Sequence, residues 1–63
     1  MLSVRVKLHE IENPSTTRVY GIRGVWSIEA DKTETTIDFE NEDAKGSYTF
    51  KNADIETIEY FIL

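Results

Sequence analysis

Few residues in this chain are equipped for chemistry. His9 stands beside Glu10 and Glu12, and a histidine–carboxylate pair can serve as a general base or a weak metal site. His9 is the only histidine and the chain has no cysteine, so no intrachain site can rest on two imidazoles or on thiolates. Catalysis would also need a nucleophile and a pocket, and an exposed histidine near carboxylates is the commoner arrangement. Asp38, Glu40, Glu42 and Asp43 form an acidic cluster. A calcium loop needs oxygen ligands at alternating positions, a central glycine and a terminal glutamate. The cluster lacks that spacing and reads as a solvated hairpin tip. Gly21-Ile22-Arg23-Gly24 has the spelling of the backbone clamp in one class of RNA-binding domain. That clamp joins two helices, whereas these residues lie in a strand pattern and imply a pair of bend glycines. The expectation is a protein without enzymatic activity, cofactor or metal.

Short strands must position these residues. Leu2, Val4, Val6 and Leu8 alternate with Ser3, Arg5 and Lys7. The same period of two recurs at Tyr20, Ile22, Trp26, Ile28 and Ala30, at Thr35, Ile37 and Phe39, at Tyr48 and Phe50, and at Ile58, Tyr60 and Ile62. Successive strand side chains point to opposite faces, so this pattern builds a sheet with one dry side. The alternation slips after Leu8, since Ile11 follows three residues on, which predicts a bulge or bend near His9-Glu10. Asn13-Pro14-Ser15-Thr16 reads as a turn.

The second segment, residues 17–31, holds Gly21 and Gly24. Strong bending there would let one strand serve two sheets. Val19 and Val25 sit on the opposite parity, which implies a central position. Asp31-Lys32-Thr33 is a tight connection, and Gly46 is placed for a left-handed residue ending the next hairpin loop. Asp54 could cap a helical turn at Ile55-Glu56-Thr57. Ile55, Ile58 and Ile62 also fit a helical stripe, but β-branched and aromatic richness favours a final strand. The expected fold is all-β: a single five-stranded antiparallel meander, either an SH3-like partly closed barrel or a strongly curled sheet, with one short helical turn near residues 53–57. This order of long bent strand, hairpin, short turn and final strand resembles Sm-like and SH3-like barrels. The resemblance is topological and implies no function.

With 63 residues the chain has room for one domain and one thin core, hiding only about 60% of its unfolded surface. The absence of cysteine fits a reducing compartment. Arg5 and Lys7 fall where a signal peptide needs an apolar run, and no stretch approaches the roughly 18 apolar residues of a membrane span. A cytoplasmic protein without membrane attachment is expected. The net charge is −5, with residues 1–25 at +2 and residues 26–63 at −7. Phosphate backbones repel such a chain, so nucleic-acid binding is disfavoured.

Tyr20, Trp26, Tyr48 and Tyr60 all have inward parity, and a sole tryptophan usually anchors a small core. The C-terminus is the sharpest anomaly. Ile58, Tyr60, Phe61, Ile62 and Leu63 are apolar on both strand faces, so the strand is either central and buried or pairs with another chain. The leading expectation is a small acidic interaction module that binds protein, a second copy included as homodimer. Its surface would be Ile58, Tyr60, Phe61, Ile62 and Leu63, with Asp38, Glu40, Glu42 and Asp43 as an acidic rim. Phage and mobile-element accessory proteins often have this composition. The alternatives are an acidic nucleic-acid mimic that inhibits a nuclease or regulator, using residues 38–43 with Glu29, Asp31 and Glu34, and nucleic-acid binding through Arg5, Lys7, Arg18 and Arg23.

Overall fold

The computed structural model describes residues 1–9 and 17–62. It is all-β apart from one 3-10 turn, with strands β1 (Leu2–His9), β2 (Thr17–Arg23), β3 (Val25–Ala30), β4 (Glu34–Glu40), β5 (Lys45–Lys51) and β6 (Ile55–Ile62). They form two three-stranded sheets, in the orders β2-β1-β6 and β3-β4-β5, and every neighbouring pair is antiparallel. Among the described residues the architecture is therefore six strands rather than a five-stranded meander, and it is not a closed barrel. No helix among the described residues is long and apolar enough to cross a membrane.

The extra strand arises at Gly24. Its φ of 75° lies in the left-handed region open to glycine. A Cβ there would stand 2.1 Å from the Glu40 carbonyl oxygen. The Glu40 N–H donates to the Gly24 carbonyl at 2.9 Å, so two backbones meet where only hydrogen fits. The chain leaves the first sheet at Arg23 and enters the second at Val25. The expected bend is present, but it places each half at an edge: among the described residues β2 flanks only β1, and β3 flanks only β4. The central strands are β1 and β4, and the expected central position of segment two is corrected accordingly.

Burial follows that order. Val4, Val6, Leu8, Ile22, Val25, Ile37 and Phe50 form the buried core, with Leu2, Tyr20, Ile28, Phe39, Ile55 and Ile58 packed around it. Trp26 does not anchor the core; it is 68% exposed. Val25 lies opposite Phe39 and Ser27 opposite Asp38, so Trp26 is the extra residue of a β-bulge and turns outward. A second bulge sits in β6. Lys7 lies opposite Thr57 and Leu8 opposite Ile55, leaving Glu56 as the extra residue. This explains the three-residue spacing of Ile55 and Ile58: both are half-buried in a bulged strand, not on a helix. The helical turn is a 3-10 turn at Asn52–Asp54, three residues before the expected Ile55-Glu56-Thr57, which is already strand. Strand β1 keeps regular pairing with β2 as far as His9. The slip expected at His9-Glu10 and the turn at residues 13–16 fall on or beyond Glu10, outside the described residues.

Short polar side chains shape the connections. The Asp31 carboxylate accepts the Thr33 N–H at 2.8 Å, the Thr33 hydroxyl at 3.1 Å and the Glu34 N–H at 2.8 Å. Asn41 accepts the N–H groups of Asp43 and Ala44 at 2.9 and 3.0 Å, and its own amide donates to the Arg23 carbonyl at 2.9 Å. Asn41 thus turns the loop expected to depend on a left-handed Gly46; the only positive-φ glycine among the described residues is Gly24. Asn52 joins the 3-10 turn to the β3–β4 loop. Its N–H donates to the Thr33 carbonyl and its side-chain amide to the Asp31 carbonyl, each at 2.8 Å. Its oxygen accepts the hydroxyl of buried Thr35 at 2.6 Å, so that polar group is satisfied rather than orphaned.

Two predictions follow from these constraints. Gly24→Ala should lower stability by about 2 kcal/mol or more, because strain and overlap add; a urea midpoint unchanged from wild type would show that the bend tolerates a side chain. The Asp31 carboxyl is held below its ordinary value of 3.8, chiefly by the backbone N–H groups of Glu34 and Thr33. A group with a lowered folded pKa stabilises the fold above its unfolded value, and that contribution is lost as pH falls through the folded one. Asp31→Asn keeps an acceptor oxygen but has no carboxyl to protonate. Below about pH 4 its urea midpoint should fall less steeply than that of wild type; equal slopes would remove Asp31 from the acid response.

Candidate interaction surface

Strand β6 runs along one side of β1 and has no neighbour on its other side among the described residues. Its register with β1 sets Leu2 opposite Ile62, Val4 opposite Tyr60 and Val6 opposite Ile58. These residues share the face that carries the core. Val4 and Val6 are buried there, yet Tyr60 is 58% exposed and Ile62 86% exposed. The core-side face of β6 therefore runs out into solvent towards its end. The expectation of a central buried strand is corrected: β6 is an edge.

The opposite face of β6 is also apolar at this end. Ser3 lies opposite Phe61 and Arg5 opposite Glu59. The Arg5 guanidinium stands 5.1 Å from the centre of the Phe61 ring, within cation–π range. Glu59 sits between two cations, 3.4 Å from Lys7 Nζ and 3.9 Å from Arg5 Nη1. Beyond Glu59 the described strand has no charge on either face. The Ser3 hydroxyl is buried beneath this face and has no hydrogen-bond partner among the described residues. Leu63, the last residue of the expected surface, lies outside the described residues.

Each acidic residue of the expected rim has a partner within the fold. Asp38 is half-buried in the middle of β4, where the Ser47 hydroxyl donates to it. Glu40 pairs with Lys45 across the β4–β5 hairpin at 3.6 Å. Glu42 and Asp43 lie in the connection after β4, and each holds Arg23 Nη2 at 2.9 Å. The Arg23 pKa is raised, first by the Glu42 hydrogen bond. The Glu42 carboxyl is lowered by its own backbone N–H and then by Arg23. Of the other carboxylates considered, Asp31 shapes its turn and Glu34 faces Lys51 across the β4–β5 ladder. On the basic side, Arg5 and Lys7 share Glu59, while Arg23 is held by the loop acids.

The aromatic residues divide in two. Tyr20 reaches across to the second sheet, with ring centres 5.5 Å from Phe50 and 6.1 Å from Tyr48. Phe39, Tyr48 and Phe50 stack along that sheet at 5.5 and 6.0 Å, with Tyr48 at the rim, 40% exposed. Trp26 and Tyr60 instead face solvent. Parity alone misplaces Trp26 because the bulge shifts it by one residue; the preceding glycine was the available signal. Parity places Tyr60 on the correct face, but no described residue covers that face at its end.

The chain matches no protein-family model, no curated protein and no solved structure.

Proposed function

We propose that this protein is a non-enzymatic interaction module that binds protein through the open edge of β6. One observation carries the reading: an edge strand exposes apolar side chains on both of its faces, Phe61 on one and Tyr60 and Ile62 on the other. Unpaired strand N–H and C=O groups supply ladder hydrogen bonds to an added strand, while alternate side chains supply selectivity. Among the described residues the other three edges carry charges or a bulge, which discourage such pairing. Strand β2 bears Arg18 and Arg23, β3 is kinked by the Trp26 bulge, and β5 begins and ends with lysine. Strand β6 has its own bulge at Glu56 and a charge at Glu59; the stretch from Tyr60 to Ile62 has neither. The scaffold under this reading is an SH3-like open small barrel, folded over at the Gly24 bend.

The acidic-mimic reading draws less support, because Glu40, Glu42 and Asp43 are engaged by lysine and arginine of the same chain. Nucleic-acid binding through the N-terminal half draws less for the matching reason: Arg5, Lys7 and Arg23 are paired with carboxylates.

The test is an immobilised tagged chain offered nuclease-treated lysate of the source organism together with an untagged copy of the chain. Wild type should retain protein at both low and high salt, and Ile62→Lys should lose it while keeping its circular dichroism spectrum. Ile62 is 86% exposed, so the substitution leaves the core intact. Retention by Ile62→Lys overturns docking at β6, and loss at high salt points to acidic mimicry instead.

A further inference from the structure

Gly21 is a glycine that the backbone does not require. It lies inside β2, whose pairing with β1 is unbroken from Ser3 to His9. The positive-φ glycine among the described residues is Gly24 instead. A Cβ added at Gly21 would meet no described atom within 4 Å. A glycine inside a strand weakens it, and marks a bulge, a bend, or a place where another backbone or a ligand comes close. The bend falls at Gly24, the ladder has no bulge here and no described backbone approaches. The open space itself remains as the reason for Gly21.

That space is a cavity of about 430 Å³ lined by Ser3, Arg5, Gly21, Arg23 and Phe61. The registers set all five on the face of the first sheet turned away from the core. Arg23 and Phe61 flank Ser3, and Gly21 lies beside Arg5. The floor is thus made of two small residues among three long ones. Ser3 is only 9% exposed, and its hydroxyl has no hydrogen-bond partner among the described residues. Leaving such a group unpaired is costly, and a ligand oxygen seated among the three long side chains supplies the missing partner.

We infer that this cavity binds a small aromatic carboxylate. Its polar side chains are one hydroxyl and two guanidiniums, and a guanidinium can only donate, so the ligand must bring acceptors. A carboxylate brings them with a single negative charge. A phosphate brings more charge to a chain already at −5, and it ordinarily draws on free backbone N–H groups. Ser3 and Arg5 stand on central β1, which is laddered on both sides. Glu42 and Asp43 both hold Nη2 of Arg23, which fixes that side chain as a wall. Arg5 supplies the charge: it lies 3.9 Å from Glu59, beyond hydrogen-bond length. Its guanidinium stands 5.1 Å from the centre of the Phe61 ring, and these two flat groups are surfaces on which an aromatic ring stacks.

Titration of the isotope-labelled chain with naphthoate, followed by nuclear magnetic resonance, tests the site. Saturable shifts should appear at Ser3, Arg5, Gly21, Arg23 and Phe61, and the neutral naphthamide should give none. Gly21→Val fills the cavity and should abolish the shifts while keeping or raising the urea midpoint, since no described atom stands in its way. Ser3→Ala should weaken binding about tenfold, as expected for a lost hydrogen bond to a charged group. Its urea midpoint should stay level or rise, because the hydroxyl it removes is unpaired without ligand. Ile62 lies on the opposite face of β6 from Phe61, so Ile62→Lys should bind naphthoate as wild type does, and the β6 docking reading stands or falls separately. No saturable shifts at these residues in wild type, equal binding of naphthamide, or wild-type affinity in either folded cavity variant overturns the inference. If Gly21→Val does not fold, Ser3→Ala decides.

Discussion

Two backbones come together at Gly24 and Glu40, and most of the architecture depends on that approach. The Gly24 carbonyl takes the Glu40 N–H at 2.9 Å, and the space where a side chain would begin is filled by the Glu40 carbonyl. A positive φ at this one position turns a long β-prone segment into two strands of different sheets. Those sheets then share a core, since Ile22 before the bend and Val25 after it are both buried. The Trp26 bulge follows directly, because Val25 occupies the inward position and the next residue must turn out before the ladder with β4 resumes at Ser27.

The core so formed is thin, and local polar bonds supplement it where a larger protein would rely on apolar packing. Asp31, Asn41 and Asn52 each use a short side chain to satisfy backbone groups that a turn leaves unpaired. Asn52 also ties the segment before β6 to the β3–β4 loop. This places the start of β6 beside Leu8, and the Glu56 bulge brings Ile58 into line with Val6. The strand that carries the proposed interaction is thus held at one end by hydrogen bonds and core packing, while its other end stands open. Anchoring and exposure are divided along a single strand.

Charge is used in the same local way. A net charge of −5 suggests an acidic face, yet several carboxylates face cations of the same fold. Surface pairs of this kind contribute little to stability. What sets the end of β6 apart among the described strands is apolar exposure on both faces, at Tyr60 and Ile62 on one and Phe61 on the other.

The alternation of apolar and polar residues determined the all-β class, most strand positions and the inward face of β1 and β4, because side-chain direction in a strand is set by local geometry. The C-terminal run was visible as unusual for the same reason: apolar residues on both faces need two coverings. Which strand is central or at an edge was decided only by tertiary structure. β6 pairs with β1 across nearly the whole chain, and no local pattern encodes that partner. Bulges at Trp26 and Glu56 likewise shift parity by one residue only in relation to the strand opposite. The engagement of the acidic loop is also tertiary, since Arg23 reaches Glu42 and Asp43 only because the Gly24 bend brings the β4–β5 loop beside it.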